Sequence, residues 1–347
     1  VPDAIENLTG TDWTNPDTDG GGMIDGDECP QPFWATGCVG SGFNPLDPTD
    51  DIVAQGIVFW ANNSSGTVDI NQIHRWRQNT NDFYTGTTYA NIETVHPYEQ
   101  LLPSITNLSN LPDSSLSNGS VDWIITFNNS LTRGSIPISS QYSNITFWSD
   151  PSSLISRSND THNLKLTAGI IDSIQTKNEE YFYDWDSISS NTIPHSNQSY
   201  QLELTPEFTD LTNPLSTVLN VTNEVVSSSG ALDAYSSALA ISDFLKEGND
   251  TFDFKRYHDS ISLTPGDDVA QFIIENQFGR CNDFNAAFVT MARLAGIPAR
   301  YVTGYVGGEW NGNGYTVSTI HQSSWGEVRL ELDTGSSILD LGWIPFD

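Results

Sequence analysis

The stretch C-N-D-F-N-A-A-F-V-T-M-A-R-L-A-G-I-P begins at Cys281 and spaces Phe284, Ala287, Phe288, Met291 and Leu294 along one helical face, which Gly296 and Pro298 then end. This spacing predicts that Cys281 opens a helix. Unpaired backbone N–H groups and the positive end of the helix dipole stabilise a thiolate at such a position, so the sulfur is expected to be nucleophilic. A lone cysteine is otherwise most simply a small buried hydrophobe. A second chemistry is offered by D-T-D-G-G-G-M-I-D-G-D-E, which places Asp17, Asp19, Asp25 and Glu28 at positions one, three, nine and twelve of a calcium loop. Alternate residues of a Gly-rich turn point inward, Met23 offers its carbonyl at position seven, and the late Glu can close the shell with both oxygens. Position five is Gly21, so water or another acid must fill it. Affinity for Ca2+ is then expected in the weak extracellular range of about 10⁻⁴ to 10⁻³ M. Asp47, Asp50 and Asp51 follow and could supply further oxygens; an acidic solvated linker is the plainer reading of the same stretch.

Residues 206–347 carry the helical patterns that must position Cys281. Apolar residues recur at helical spacing over 214–227 and 232–247, the latter through Ala234, Ala238, Ala240, Ile241, Phe244 and Leu245. A third helix is expected from near Asp267 through Val269, Phe272, Ile273 and Ile274 to a break at Gly279. Residues 52–205 instead show short apolar runs at 57–60, 123–127, 145–148, 164–166 and 200–204, punctuated by Gly, Pro, Asn and Ser. That pattern predicts an antiparallel β-sandwich or a similar β domain. His74, His96, His162 and His195 are too dispersed to assemble a metal site by spacing. Three parts result: 1–51, an Asp-rich calcium-binding loop segment; 52–205, a β-rich domain; and 206–347, the domain of Cys281.

A chain of 347 residues exceeds what one hydrophobic core usually organises, in keeping with several domains. Its 37% hydrophobic content and ten Trp are enough to fill real cores. The formal net charge of -31 repels a phosphate backbone, which excludes nucleic acid as a partner. It suits a salty medium or a surface that recruits divalent cations. The longest apolar runs, such as 121–127, fall short of the roughly 20 residues a spanning helix needs, so no membrane span is expected in this portion.

Several signals point outside the cell. Asn-x-Ser/Thr glycosylation triplets occur at Asn7, Asn62, Asn63, Asn107, Asn118, Asn128, Asn144, Asn159, Asn197, Asn220 and Asn249, and none occurs from residue 252 onward, where glycans would obstruct a buried site. Cys29 and Cys38 lie close together, and their economical pairing is a disulfide that leaves Cys281 as a free thiol. An extracellular, cell-surface glycoprotein of an archaeal or other microbial envelope fits these signals. The sequence begins at Val1, so any leader is out of view, and it ends on Asp347, beyond which the chain is expected to continue.

The motifs G-R-C-N-D-F-N-A-A-F, M-A-R-L-A-G-I-P-A-R-Y-V-T-G-Y-V-G-G and G-W-I-P-F-D resemble the transglutaminase-like superfamily. Weaker similarity reaches back to W-R-Q-N-T-N-D-F-Y-T-G-T at Trp76. The resemblance is to a microbial branch in which this core follows an extracytoplasmic β domain. The stretch from Asp17 resembles calcium-binding Asp-rich repeats of the thrombospondin type-3 kind. The fold class implied is α+β: a papain-like, transglutaminase-like core with helices packed on an antiparallel sheet, following a β-sandwich-like domain and a short calcium-binding loop segment.

The family resemblance implies a Cys-His-Asp triad that forms an acyl-enzyme from a glutamine carboxamide or a peptide carbonyl. It makes Cys281 the nucleophile and Asp347 the orienting carboxylate. The family's His stands two residues before the Trp of a strand reading His-Ala-Trp-x-Glu-Val, whereas this chain reads H-Q-S-S-W-G-E-V, with Ser323 in the His position. His321 lies two residues earlier, displaced by about 6.6 Å on a regular strand. Hydrogen-bond reach is only about 3 Å, so His321 could serve as the base only if a bulge shortened the path. A serine hydroxyl cannot shuttle the proton near neutrality. Two functions follow. One is a catalytically silent, structural or adhesive surface module stiffened by Ca2+. The other is a thiol acyltransferase, of the protein-glutamine gamma-glutamyltransferase type, or an amidase or protease, using Cys281, His321 and Asp347. Its partner would be a protein substrate, a neighbouring surface protein or a second copy of the chain.

Overall fold

The helical patterns become four α-helices: α1 (Pro214–Ser229), α2 (Ala234–Glu247), α3 (Val269–Asn276) and α4 (Cys281–Leu294). The computed structural model describes residues 56–68, 73–81, 83–84, 89–90, 98–101, 104–105, 117–131, 134–139, 142–149, 154–158, 164–168, 170–181, 188–195, 214–256 and 268–346. Local chemistry sets the helix ends. Proline opens α1, where its missing N–H costs nothing. The Asp233 carboxylate caps α2 by accepting from the Ser236 amide at 2.9 Å, and it also accepts from the Thr192 hydroxyl at 2.8 Å. Gly248, at φ 72°, ends α2 by donating its N–H to the Phe244 carbonyl. Asp268 caps α3 through the Ala270 and Gln271 amides.

Only one apolar face was expected of α4, yet eleven of its 14 residues are buried. The helix is surrounded, packing against α1, α2, α3 and the sheet behind it. Arg293 is buried there with its Nε donating to the Ala299 carbonyl at 2.7 Å and its guanidinium 4.8 Å from the Tyr89 ring centre.

The labelled strands, in chain order, are β1 (Ile57–Ser65), β2 (Arg75–Asn81), β3 (Ser117–Leu131), β4 (Tyr142–Ser149), β5 (Ile171–Tyr181), β6 (Thr192–Pro194), β7 (Ala299–Val306), β8 (Gly314–Ser318), β9 (Gln322–Asp333) and β10 (Ile338–Phe346). The sheet under the helices is antiparallel. One edge of β9 pairs with β7 and then with β6, and its other edge pairs with β10; β7 continues to β2. A seven-stranded sheet carries β8, β1, β3, β5 and β4 in that spatial order, and a four-stranded sheet includes Leu154–Ser158 and Leu164–Ala168. On β3, Val121, Trp123, Ile125 and Phe127 alternate inward, the period-2 pattern of a strand with one face in a core. Ile57–Asp347 forms one compact unit. The two sheets exchange strands along the chain: β2 joins the sheet of the helical part, and β8 joins that of the β-rich part. Trp76 of β2 meets Phe59 of β1 and Trp123 of β3 edge-on at 5.7 and 5.4 Å between ring centres. Its indole N–H donates to the Gly307 carbonyl at 3.0 Å. Among the described residues no helix is long and apolar enough to cross a membrane.

Helix α4 lies directly on β9 at Gly326, where an added Cβ would sit 2.3 Å from Cδ1 of Phe288. Phe288 is itself stacked on Phe346 at 5.3 Å, so it has little room to yield. Gly326→Ala is expected to destabilise the domain by about 1–3 kcal/mol, read as a lower urea midpoint at unchanged slope. A shift under half a kcal/mol would show that the packing is looser than this.

Candidate active site

Cys281 is the first helical residue of α4, as the spacing predicts, and it is exposed. Arg280 precedes it in extended conformation, with the Asp283 carboxylate accepting from the Arg280 amide at 2.9 Å and lying 3.4 Å from its Nε. This closes the first turn. The carboxylate of Asp283 also sets a negative charge against the positive end of the helix dipole.

The thiol borders a cavity of about 360 Å³. Ser323 and Ser324 from β9 and Asn285 from α4 bring polar groups to it, while Leu245, Phe288 and Val306 give apolar walls. Helix and strand are clamped together here. The Ser324 hydroxyl donates to Oδ1 of Asn282 at 2.8 Å, and Nδ2 of Asn285 donates to the Ser324 carbonyl at 2.8 Å. These two asparagines were not singled out from sequence. Their signal was present in C-N-D-F-N, where polar residues three apart fall on one side of the first helical turn.

Ser323, the residue in the family's His position, faces the same cavity as Cys281. The β9–β7 ladder runs from Gln322↔Tyr305 to Val328↔Ala299 with no register shift. His321 is not on that strand. It ends a 3₁₀ turn, Thr319–His321, and Nδ1 of its ring accepts from the Ser318 amide at 3.0 Å, with the Ser318 hydroxyl also at 3.0 Å. It is not among the described residues that line the cavity.

Behind the serine, Trp325 is fully buried and its indole N–H donates to Oε1 of Glu327 at 2.9 Å. The other Glu327 oxygen receives Nη2 and Nε of Arg300 at 2.7 and 2.8 Å. Burial alone would raise the Glu327 carboxyl, but the Arg300 and Arg77 guanidiniums and these hydrogen bonds outweigh it and hold it below the ordinary carboxylate value. Arg300 in turn lies 3.9 Å from the Trp343 ring centre.

Asp347, the calcium-loop residues Asp17, Asp19, Asp25 and Glu28, and the Cys29–Cys38 pair all lie outside the described residues, as do Asn7, Asn107, Asn159 and Asn197. Of the other acceptor asparagines, Asn128, Asn220 and Asn249 are exposed, Asn62 and Asn63 are half-buried on β1, and Asn118 and Asn144 lie on β3 and β4.

Residues 221–347 match the transglutaminase-like superfamily. Over 114 residues the chain is 34% identical to YebA of Bacillus subtilis (strain 168), described as an uncharacterized protein; the match covers 31% of this chain and 14% of YebA. Two crystal structures of the periplasmic domain of TgpA from Pseudomonas aeruginosa, the second bound to ethylmercury, share the fold at 15% sequence identity. Their TM-scores are 0.52 and 0.51, and each match covers 84% of this chain, with 87% and 89% of the TgpA chains. A helix-initial cysteine against an antiparallel sheet, in an α+β fold shared with that domain, together with the family match, makes residues 221–347 a transglutaminase-like core domain.

Proposed function

We propose that this protein is an extracytoplasmic surface module whose transglutaminase-like domain keeps an accessible thiol at a ligand cavity but does not turn over acyl substrates. The observation that carries this reading is the hydrogen bond from the Ser318 amide to Nδ1 of His321. A backbone N–H only donates, so Nδ1 is the bare nitrogen of the neutral ring and Nε2 carries the proton. Nε2 therefore has no lone pair with which to take a proton from Cys281, and the one nitrogen that has is turned to Ser318. Ser323 can orient a thiolate by hydrogen bonding but cannot act as its base. With no histidine among the described residues that line the cavity, neither acylation nor release of ammonia is offered a proton carrier there.

The glycosylation triplets, the acidity and the likeness to a periplasmic domain support placement outside the cytoplasm. Calcium at Asp17, Asp19, Asp25 and Glu28, in a loop closed nearby by Cys29–Cys38, belongs to the same reading and is supported by their spacing. In such a module the ion would stiffen the amino-terminal segment and leave the chemistry of Cys281 untouched.

The test joins a reactivity assay to a turnover assay. Iodoacetamide is expected to alkylate Cys281 without denaturant, while amine incorporation into a glutamine peptide and ammonia release stay at the level of Cys281→Ser. His321→Ala should alter neither readout. Turnover by the native chain that His321→Ala abolishes would overturn the proposal.

A further inference from the structure

The chain carries 44 Asp and Glu against 13 Lys and Arg, yet the Cys281 cavity has the opposite sign. Lys246 and Arg256 border it, and no Asp or Glu is among the described residues that line it. Chance placement in so acidic a chain would favour carboxylates there by more than three to one.

Arg256 is held in place by several independent contacts. The short strand Lys255–Arg256 pairs in parallel with Phe278–Gly279, so Arg256 stands opposite Gly279, two residues before the thiol. Its Nη2 donates to the Leu245 carbonyl at 3.1 Å and its Nη1 to the Lys246 carbonyl at 3.4 Å, at the end of α2. The guanidinium also lies 4.9 Å from the ring centre of Phe284. These contacts use part of its donor fork and restrict its rotamers, so little further ordering is needed to receive an anion. Lys246 brings a second charge from the last turn of α2.

We infer that the cavity recognises a short peptide through a carboxylate held by Arg256 and Lys246, with the adjoining apolar part resting against Leu245, Phe288 and Val306. A volume of about 360 Å³ is enough for two or three residues. The inference rests on the reading of this cavity as the domain's ligand site. It deepens that reading, because the glutamine carboxamide that the family resemblance implies is neutral and would leave both cations unused. An anionic peptide also overcomes the repulsion of the chain as a whole only if the local cations dominate, which salt screening leaves feasible over a few ångströms.

The test uses the full chain and two matched sets of probes. Iodoacetate and iodoacetamide differ by one negative charge, and their rate ratio at Cys281 is expected to exceed that at free cysteine by about tenfold, the scale of one charge-assisted hydrogen bond. Acetyl-dialanine with a free carboxylate should slow iodoacetamide labelling by about tenfold more than its amide does at equal concentration. Protection by acetyl-glutamate amide as well would assign a side-chain carboxylate, and protection by the free acid alone a chain end. Lys246 is exposed, so Lys246→Gln should lower both effects and Lys246→Glu abolish them without loss of fold; Arg256 ties α2 to the Phe278–Gly279 strand and is left in place. An iodoacetate ratio no higher than that of free cysteine, or equal protection by acid and amide, overturns the inference. Turnover in the amine assay would overturn the silent reading instead, so the two failures are separable.

Discussion

Ser323→His is expected, on the silent reading proposed above, to raise Cys281-dependent acyl transfer or amide hydrolysis by about 10²- to 10⁴-fold, the usual contribution of a positioned acid–base group. The ladder between β9 and β7 runs unshifted through this point, so an imidazole at residue 323 starts from a backbone already facing the Cys281 cavity. Its cross-strand neighbour is Gly304, which has no side chain to compete for the space. Gly304 is itself required there, because an added Cβ would lie 2.1 Å from the Trp76 carbonyl. The Asn282 and Asn285 clamp on Ser324 fixes strand to helix one residue away. His321→Ala in the same background should leave the gain intact, since that ring serves the turn at Ser318. Preserved fold and preserved labelling of Cys281 with no turnover would show that an imidazole at residue 323 is not what turnover lacks.

Glu327→Gln is expected to cost about 3–5 kcal/mol of stability, because it leaves the Arg300 guanidinium buried without its counter-ion. Glu327 is 1% exposed and Arg300 2%, so water cannot replace the carboxylate. The loss would show as a lower urea midpoint at neutral pH, and a change below about 1 kcal/mol would mean that the pair is solvated. The pH dependence has a definite sign. Glu327 titrates lower in the folded chain than its reference value of 4.5, so its contribution is fully present above that value and is lost as pH falls through the folded one. Wild-type stability should therefore decline on acidification below about pH 4.5, and the Gln variant should decline less steeply over the same interval. The same substitution leaves one acceptor oxygen where Glu327 served both Arg300 and the Trp325 indole, two residues from Ser323. In the Ser323→His background it should reduce turnover as well as stability.

Periodicity made much of the helical part legible from sequence. The apolar spacing around Ala238, Ile241 and Phe244 and the stop at Gly296 and Pro298 are local features that act within a few residues, so the order of elements and the helix-initial place of Cys281 could be read without a fold; the caps at Asp233 and Asp268 emerged only with the structure. The β-rich half was legible as strands but not in its pairing, because alternation along β3 says which face is buried and nothing about which strand lies beside it. Only the tertiary structure brings β2 beside β7 across more than two hundred residues of sequence.

His321 marks the limit of linear reading most sharply. Counting from Trp325 left open a regular strand or a bulge, and the chain adopts neither: the Ser318 amide and hydroxyl hold the ring in a 3₁₀ turn that ends where the strand starts. The cations of the cavity were equally hidden. Arg256 stands 25 positions before Cys281 and reaches it only through the parallel pairing with Phe278–Gly279 and the carbonyls that end α2. Sequence determines which side chains exist and which local elements carry them. Their distances and hydrogen-bond partners, and hence which of them can exchange a proton or hold a charge, depend on packing between segments far apart in the chain.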